Sequence, residues 1–258
     1  MKYFIVDAFT DKVFKGNQAG VCLVDHPLNE ATMQNIAAEN NLAETAFVMP
    51  KGNEFDLRWF TPEVEIDLCG HATLASAYIL STIINPSLDV MRFHTLSGVL
   101  TVSKRDSLFE MDFPARKPTP KPVDALMAQA LGIPVLEAHS SRDMLLIVEN
   151  EAAVKMLKPN LLLLSQIPDC FAVIVTAPGN EVDFVSRFFA PNAGIPEDPV
   201  TGSSHSTLIP FWAERLKKEK MVARQLSKRG GTLYCENCGE RVKISGQAAL
   251  YLTGEIHV

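Results

Sequence analysis

The chain has 258 residues, 47% of them hydrophobic and 21% charged, enough for one large domain or two lobes of about 120 residues each. A net charge of −6 and a pI near 5.5 would repel nucleic acid and anionic membranes, so neither is an expected partner. No run is long enough to span a membrane, MKYFIVDAFT lacks a secretory pattern, and five cysteines form no even disulfide framework, which together fit a reducing cytoplasm.

In chain order, YFIVDAFT reads as a strand and Lys15–Gly20 as a turn into a second strand, GVCLV. Segment 28–41 places Leu28, Met33, Ile36 and Ala37 at helical spacing, and TAFVMP and FDLRWFTP are the next strands. Segment 71–84 is apolar nearly all round, through Leu74, Ala75, Ala77, Tyr78, Ile79, Ile83 and Ile84. A helix without a polar face belongs in the middle of a domain. VMRFHTL, GVLTVSK and LFEMDFP then form an antiparallel meander with turns at Ser97–Gly98 and Arg105–Asp106.

Pro118, Pro120 and Pro122 crowd residues 116–122, and proline cannot continue a central strand. This stretch is the expected linker between an N-terminal lobe, 1–115, and a C-terminal lobe, 123–258. The second lobe reads as a helix (VDALMAQALG), strands near 143–149 and 171–176, a helix near 203–218 that Pro210 should kink near Ser206, and closing hairpins.

One pattern occurs twice. Phe60-Thr61-Pro62, an acidic loop and Gly70-His71 open the first apolar helix; Phe189-Ala190-Pro191, Glu197-Asp198 and Gly202-Ser203 open the second. A helix start presents unpaired backbone N–H groups that suit an anion. Gly70, Gly202 and Ser203 are therefore the candidate anion cradle, which suggests a small acidic molecule held between two related halves.

The combination VDAFT, GNQAGV, NLAETAFV, LRWFTPEVEIDLCGHATLASA, FFAPNAGIPEDPVTGSSH and QLSKRGG, in this order, resembles the PhzF-like, phenazine-biosynthesis-type isomerase family. That family is related in fold to diaminopimelate epimerase. The resemblance implies an α+β protein of two similar lobes, each a mostly antiparallel sheet or barrel wrapped round a central helix, with the active site between them. It also implies that Glu44 removes and returns a substrate proton and that His71 and Asp198 face the substrate. Asn17 matches a substrate-contacting asparagine, and homodimers are common in the family. Beside it, the residues themselves agree: a glutamate among apolar neighbours loses solvation, which suits proton transfer near neutral pH.

Two-base epimerases of this fold resemble thiol pairs, one at each helix start. Cys69 stands before Gly70, but its counterpart before Gly202 is Thr201, whose hydroxyl is too weak an acid. Cys235 and Cys238 have the spacing of half a zinc knuckle with no second half, and they fit a hairpin tip better. No nucleotide or metal motif is present, so no cofactor and no metal are expected. The expected function is a cofactor-independent isomerase moving a proton, and with it a double bond, on a small carboxylate. The alternatives are an amino- or hydroxy-acid epimerase or racemase, and a non-catalytic binding or interaction protein on the same scaffold.

Overall fold

The structure, a computed structural model, describes residues 1–258. It is α+β and mostly sheet, and it forms two compact units, Met1–Asp112 with Ser245–Val258 and Phe113–Ile244.

The first unit runs β1 (Lys2–Ala8), β2 (Asn17–Leu23), α1 (Glu30–Asn40), β3 (Glu44–Lys51), β4 (Glu54–Phe60) and a two-residue return strand, β5 (Glu65–Ile66). Then come α2 (Gly70–Tyr78), β6 (Val90–Thr95), β7 (Gly98–Arg105) and β8 (Leu108–Pro114). Every residue of α2 from His71 to Ala77 is buried, as its uniform apolarity requires, and β1, β2 and β3 pack on it. Its small residues let the strands approach. The hydroxyls of Thr73, Ser76 and Ser81 donate to carbonyls four residues back at 2.6, 2.7 and 2.8 Å, so none of these three is orphaned. Beyond Tyr78 the helix widens to a π-helical turn, Ile79–Ile84, which Pro86 prevents from continuing.

Helix α1 turns Met33, Ile36 and Ala37 onto Cys22, Phe47 and Phe60, the face its periodicity marks. Asn29 caps it by accepting the Thr32 N–H at 2.8 Å, and Asn41, at φ 48°, ends it in the left-handed region.

The second unit contains β9 (Thr119–Lys121), α3 (Ala125–Leu131), β10 (Glu137–Ser140), β11 (Met144–Ile147), α4 (Glu151–Met156), α5 (Leu161–Leu164), β12 (Val173–Pro178) and β13 (Phe184–Ala190). It continues with β14 (Ile195–Asp198), α6 (His205–Leu216), β15 (Lys220–Gln225), β16 (Gly231–Cys238) and β17 (Arg241–Gly246). Helix α6 is buried from His205 to Ala213; Trp212 stacks on Phe184 with centroids 5.7 Å apart and donates its indole N–H to Thr176 Oγ1 at 3.0 Å.

The proline-rich stretch departs from the expected linker. Thr119–Lys121 pairs antiparallel with β10, and the division between units falls at Asp112–Phe113. The stretch also repairs α6. Pro210 has no N–H for the Ser206 carbonyl, and the Arg116 N–H takes that carbonyl at 2.8 Å.

The last strand, β18 (Ala248–Glu255), belongs to the first unit rather than to the C-terminal half. It pairs antiparallel along the whole of β1, from Lys2 opposite Glu255 to Ala8 opposite Ala248. The cause is the free side of β1: a strand flanked only by β2 would leave a ladder of backbone groups without partners.

The repeated sequence pattern is a repeated piece of structure. β4 returns through β5 with Phe60 opposite Glu65, and β13 returns through β14 with Ala190 opposite Ile195, the same spacing of five residues. The second copy is longer between its phenylalanine and its glycine, Phe189 to Gly202 against Phe60 to Gly70, and its return strand β14 is correspondingly longer than β5.

Candidate active site

In the first unit three candidates meet. β2 and β3 run parallel, with Ala19 opposite Glu44, so their first residues lie at one end of the sheet. Asn17 begins β2, Glu44 begins β3, and His71 is the second residue of α2. Gly16 enables the first of these: at φ 64° a side chain there is strained, and its Cβ would stand 2.1 Å from the Ala8 carbonyl oxygen.

His71 Nε2 lies 3.0 Å from Glu44 Oε2, with both side chains largely buried (7% and 13% exposed). On the other edge of the ring, Nδ1 faces Asn17 Nδ2 at 3.4 Å and Cys69 Sγ at 3.5 Å. The imidazole thus touches a carboxylate on one nitrogen and an amide and a thiol on the other. The Glu44–His71 approach is short but not aligned as a hydrogen bond, and neither of those two atoms has another hydrogen-bond partner.

Burial opposes a charge on His71, but the negative groups beside it, Cys69 and Glu44, with their hydrogen bonds, hold its imidazole well above the ordinary histidine range. Burial, then the Glu44 charge, pushes the Cys69 thiol up.

The second unit holds Asp198, Gly202 and Ser203. Thr201 Oγ1 donates to Asp198 Oδ2 at 2.5 Å. The buried Gln225, at the end of β15, accepts the Thr201 N–H at 2.9 Å and donates to the Asp198 carbonyl at 2.8 Å and to Thr201 Oγ1 at 3.1 Å. Ser227 donates to the Pro199 carbonyl at 2.7 Å. Next to Asp198, Glu197 is engaged by both arms of Arg187, at 2.6 and 2.9 Å. Gln225 and Ser227 were legible only as part of the QLSKRGG string; the string serves to hold the Asp198 loop.

Helix α6 begins at His205, later than expected. Gly202 and Ser203 lie in the turn before it, where the His205 N–H donates to the Gly202 carbonyl at 3.0 Å. Neither Cys69 before α2 nor Ser204 before α6 makes a side-chain capping bond, so neither helix start has a side chain on its first N–H groups. Arg142, which no motif marked, puts a cation within 3.4 Å of Ser203 Oγ while Asp143 holds it by two bonds of 2.9 Å.

His205 is buried and differs in kind from His71. Its Nδ1–H donates to the Thr201 carbonyl at 2.8 Å, and burial lowers its pKa to about 4, only partly offset by that bond. It is a neutral structural histidine. Cys235 and Cys238 lie on one strand, one buried and the other exposed, and the hairpin tip is at Gly239–Glu240 beyond them. Three positions apart on a strand they point to opposite faces, so they cannot chelate one ion.

Comparison with known proteins gives the family. An uncharacterized isomerase of Pseudomonas aeruginosa is 48% identical over 255 residues, covering 99% of this chain and 98% of that one. A crystal structure of a PhzF-family phenazine biosynthesis protein from Enterococcus faecalis superposes with a TM-score of 0.98 at 46% identity, over 100% of this chain and 99% of the other. A putative PhzC/PhzF protein of Clostridium difficile gives 0.96 at 48% identity, with 100% of both chains covered. The family model described as phenazine biosynthesis-like protein, PhzC-PhzF, matches residues 6–254. With its motifs, its two-unit α+β fold and these relatives in accord, the chain is an isomerase of the PhzC-PhzF, phenazine biosynthesis-like family.

Proposed function

We propose that this isomerase shifts a proton, and with it a double bond, on a small carboxylate substrate, with no cofactor. The observation that carries the reading is the buried approach of Glu44 to His71 at 3.0 Å. Glu44 takes the proton from one substrate carbon and returns it to another. His71, held toward its charged form, pairs with the Glu44 carboxylate before the proton is taken and after it is returned. Asp198, kept in orientation by Thr201 and Gln225, is the second unit's carboxylate for the reaction. The uncapped helix start at Gly70 supplies N–H groups for the substrate's acid group.

The isomerase reading is preferred over a two-thiol epimerase because Cys69 has no thiol counterpart. Thr201 stands in that place and its hydroxyl is committed to Asp198. The test incubates the protein in deuterium oxide with a panel of unsaturated and cyclic carboxylates and follows label by NMR. Deuterium should enter at a carbon whose double bond has moved. Glu44→Gln should slow that entry by at least about 100-fold without changing the thermal unfolding midpoint. An undiminished rate in this variant would remove Glu44 from the chemistry.

A further inference from the structure

The second unit has no helix start at Gly202–Ser203 to hold an anion, since α6 begins only at His205. It has a cation there instead. Arg142 lies in the turn between β10 and β11, and its Nη2 donates to Ser203 Oγ at 3.4 Å. The same turn is tied to the start of α6, where Ser141 Oγ meets Thr207 Oγ1 at 3.0 Å. Its backbone is pinned as well: the Ser141 N–H donates to the Asp143 carbonyl at 3.0 Å, and the Phe171 N–H to the Arg142 carbonyl at 3.1 Å.

The guanidinium itself is fixed on two sides. Asp143 accepts Nε–H and Nη2–H at 2.9 Å each, and the Phe171 ring centroid lies 4.9 Å from the guanidinium carbon. Asp143 is fully buried, whereas the Arg142 side chain is 36% exposed. A buried carboxylate that serves only to hold an exposed arginine makes a rigid donor of it. Of the five N–H groups, two go to Asp143 and one to Ser203, and the two on Nη1 have no protein partner. The Nη1–Nη2 edge is therefore unused, and it matches the two oxygens of a carboxylate. The bond to Ser203 is long, so an arriving oxygen can take that Nη2–H while the Ser203 hydroxyl turns to donate to it. Asp143 neutralises Arg142, which leaves directed donors rather than a positive field. Such a site selects a planar anion that can pair twice.

We propose that this edge of Arg142, with the Ser203 hydroxyl, binds a carboxylate of the substrate. The Gly70 helix start takes one acid group; the group at Arg142 is a second, and the substrate is a dicarboxylate. The inference rests on the reading that Ser203 and Asp198 belong to the reaction site.

The test is calorimetric. Maleate, fumarate, succinate and cyclohexene-1,2-dicarboxylate are titrated into the full chain, each beside its own monoamide. The amide keeps the shape but has a single acceptor oxygen for the fork. At least one diacid should bind about tenfold or more tightly than its monoamide, the range of a hydrogen bond to a charged group. Arg142→Gln should remove that preference. Should this variant fail to fold with Asp143 left unpaired, Arg142→Lys keeps the charge but has no second edge, and the preference should again be lost. A merely structural Arg142 would weaken diacid and monoamide alike. A wild type without the preference, or a preference that survives in the variant, overturns the inference. The titration involves no turnover, so a protein that shows the preference but moves no proton fails the Glu44 reading and not this one.

Discussion

His71 and His205 open the two helices in similar places, yet their surroundings divide them. His71 is flanked by a carboxylate and a thiol and is held toward its charged form, whereas His205 has only a carbonyl and a hydroxyl beside it and stays neutral. The pH consequence belongs to His205. Its folded value of about 4 lies below the unfolded 6.5, so between them the unfolded chain binds a proton that the folded chain refuses. Stability therefore falls as pH drops from about 6.5 and levels off below about 4, a loss of about 3 kcal/mol at 1.36 kcal/mol per unit. Urea unfolding at pH 7 and pH 4 should show this component in the wild type and its absence in His205→Gln. Equal pH dependence in both would exclude His205 as its source. Glu44 and His71 could be named from NLAETAFV and GHAT, but their contact could not, because 27 residues and a strand pair separate them.

At the scale of elements, two repairs made by distant segments hold the second unit together around the Asp198 loop and α6. Gln225 supplies three hydrogen bonds to Asp198 and Thr201 from the end of β15. Gln225→Leu keeps the volume but strands the buried Thr201 N–H. It should lower stability by about 1–3 kcal/mol in urea unfolding and slow deuterium exchange more than it weakens substrate binding. Arg116 repairs α6 through its backbone alone, so Arg116→Ala should be nearly silent at that bond. Arg116→Pro, which removes the donor, should cost about 1–3 kcal/mol, and a proline variant as stable as the alanine one would contradict the assignment. The helix and its proline are plain in HSTLIPFW; the remedy is not, since hydrogen bonding between backbone groups leaves no mark on residue identity.

For the whole molecule, chain order and spatial membership differ at the C-terminal strand. β18 returns to β1, and the Ile256 N–H donates to the Met1 carbonyl at 2.9 Å. Gly246, just before it, has no room for a side chain: a Cβ would meet Phe9 Cδ1 at 2.4 Å, with Leu74 of α2 behind. Removing residues 247–258 should therefore unfold the first unit, which carries Glu44 and His71, and not merely trim an end. Circular dichroism and size exclusion would check this; a truncated chain that keeps its cooperative transition and stays monodisperse would refute it.

The amino-acid sequence by itself determined the family, the α+β class and the two buried helices, and it marked Asn17, Glu44, His71 and Asp198 as candidates. These reside in local periodicity, in glycine and proline placement and in contiguous motifs, each readable within a dozen residues. The tertiary structure decided what depends on residues far apart in the chain. It set Glu44 against His71 with Cys69 and Asn17 behind the ring, gave Gln225 its hold on Asp198, moved β18 to the first unit and made a strand of the expected linker. The reason is physical: buried polar groups and strand edges must find partners somewhere, and which distant group supplies the partner is settled only when the chain packs.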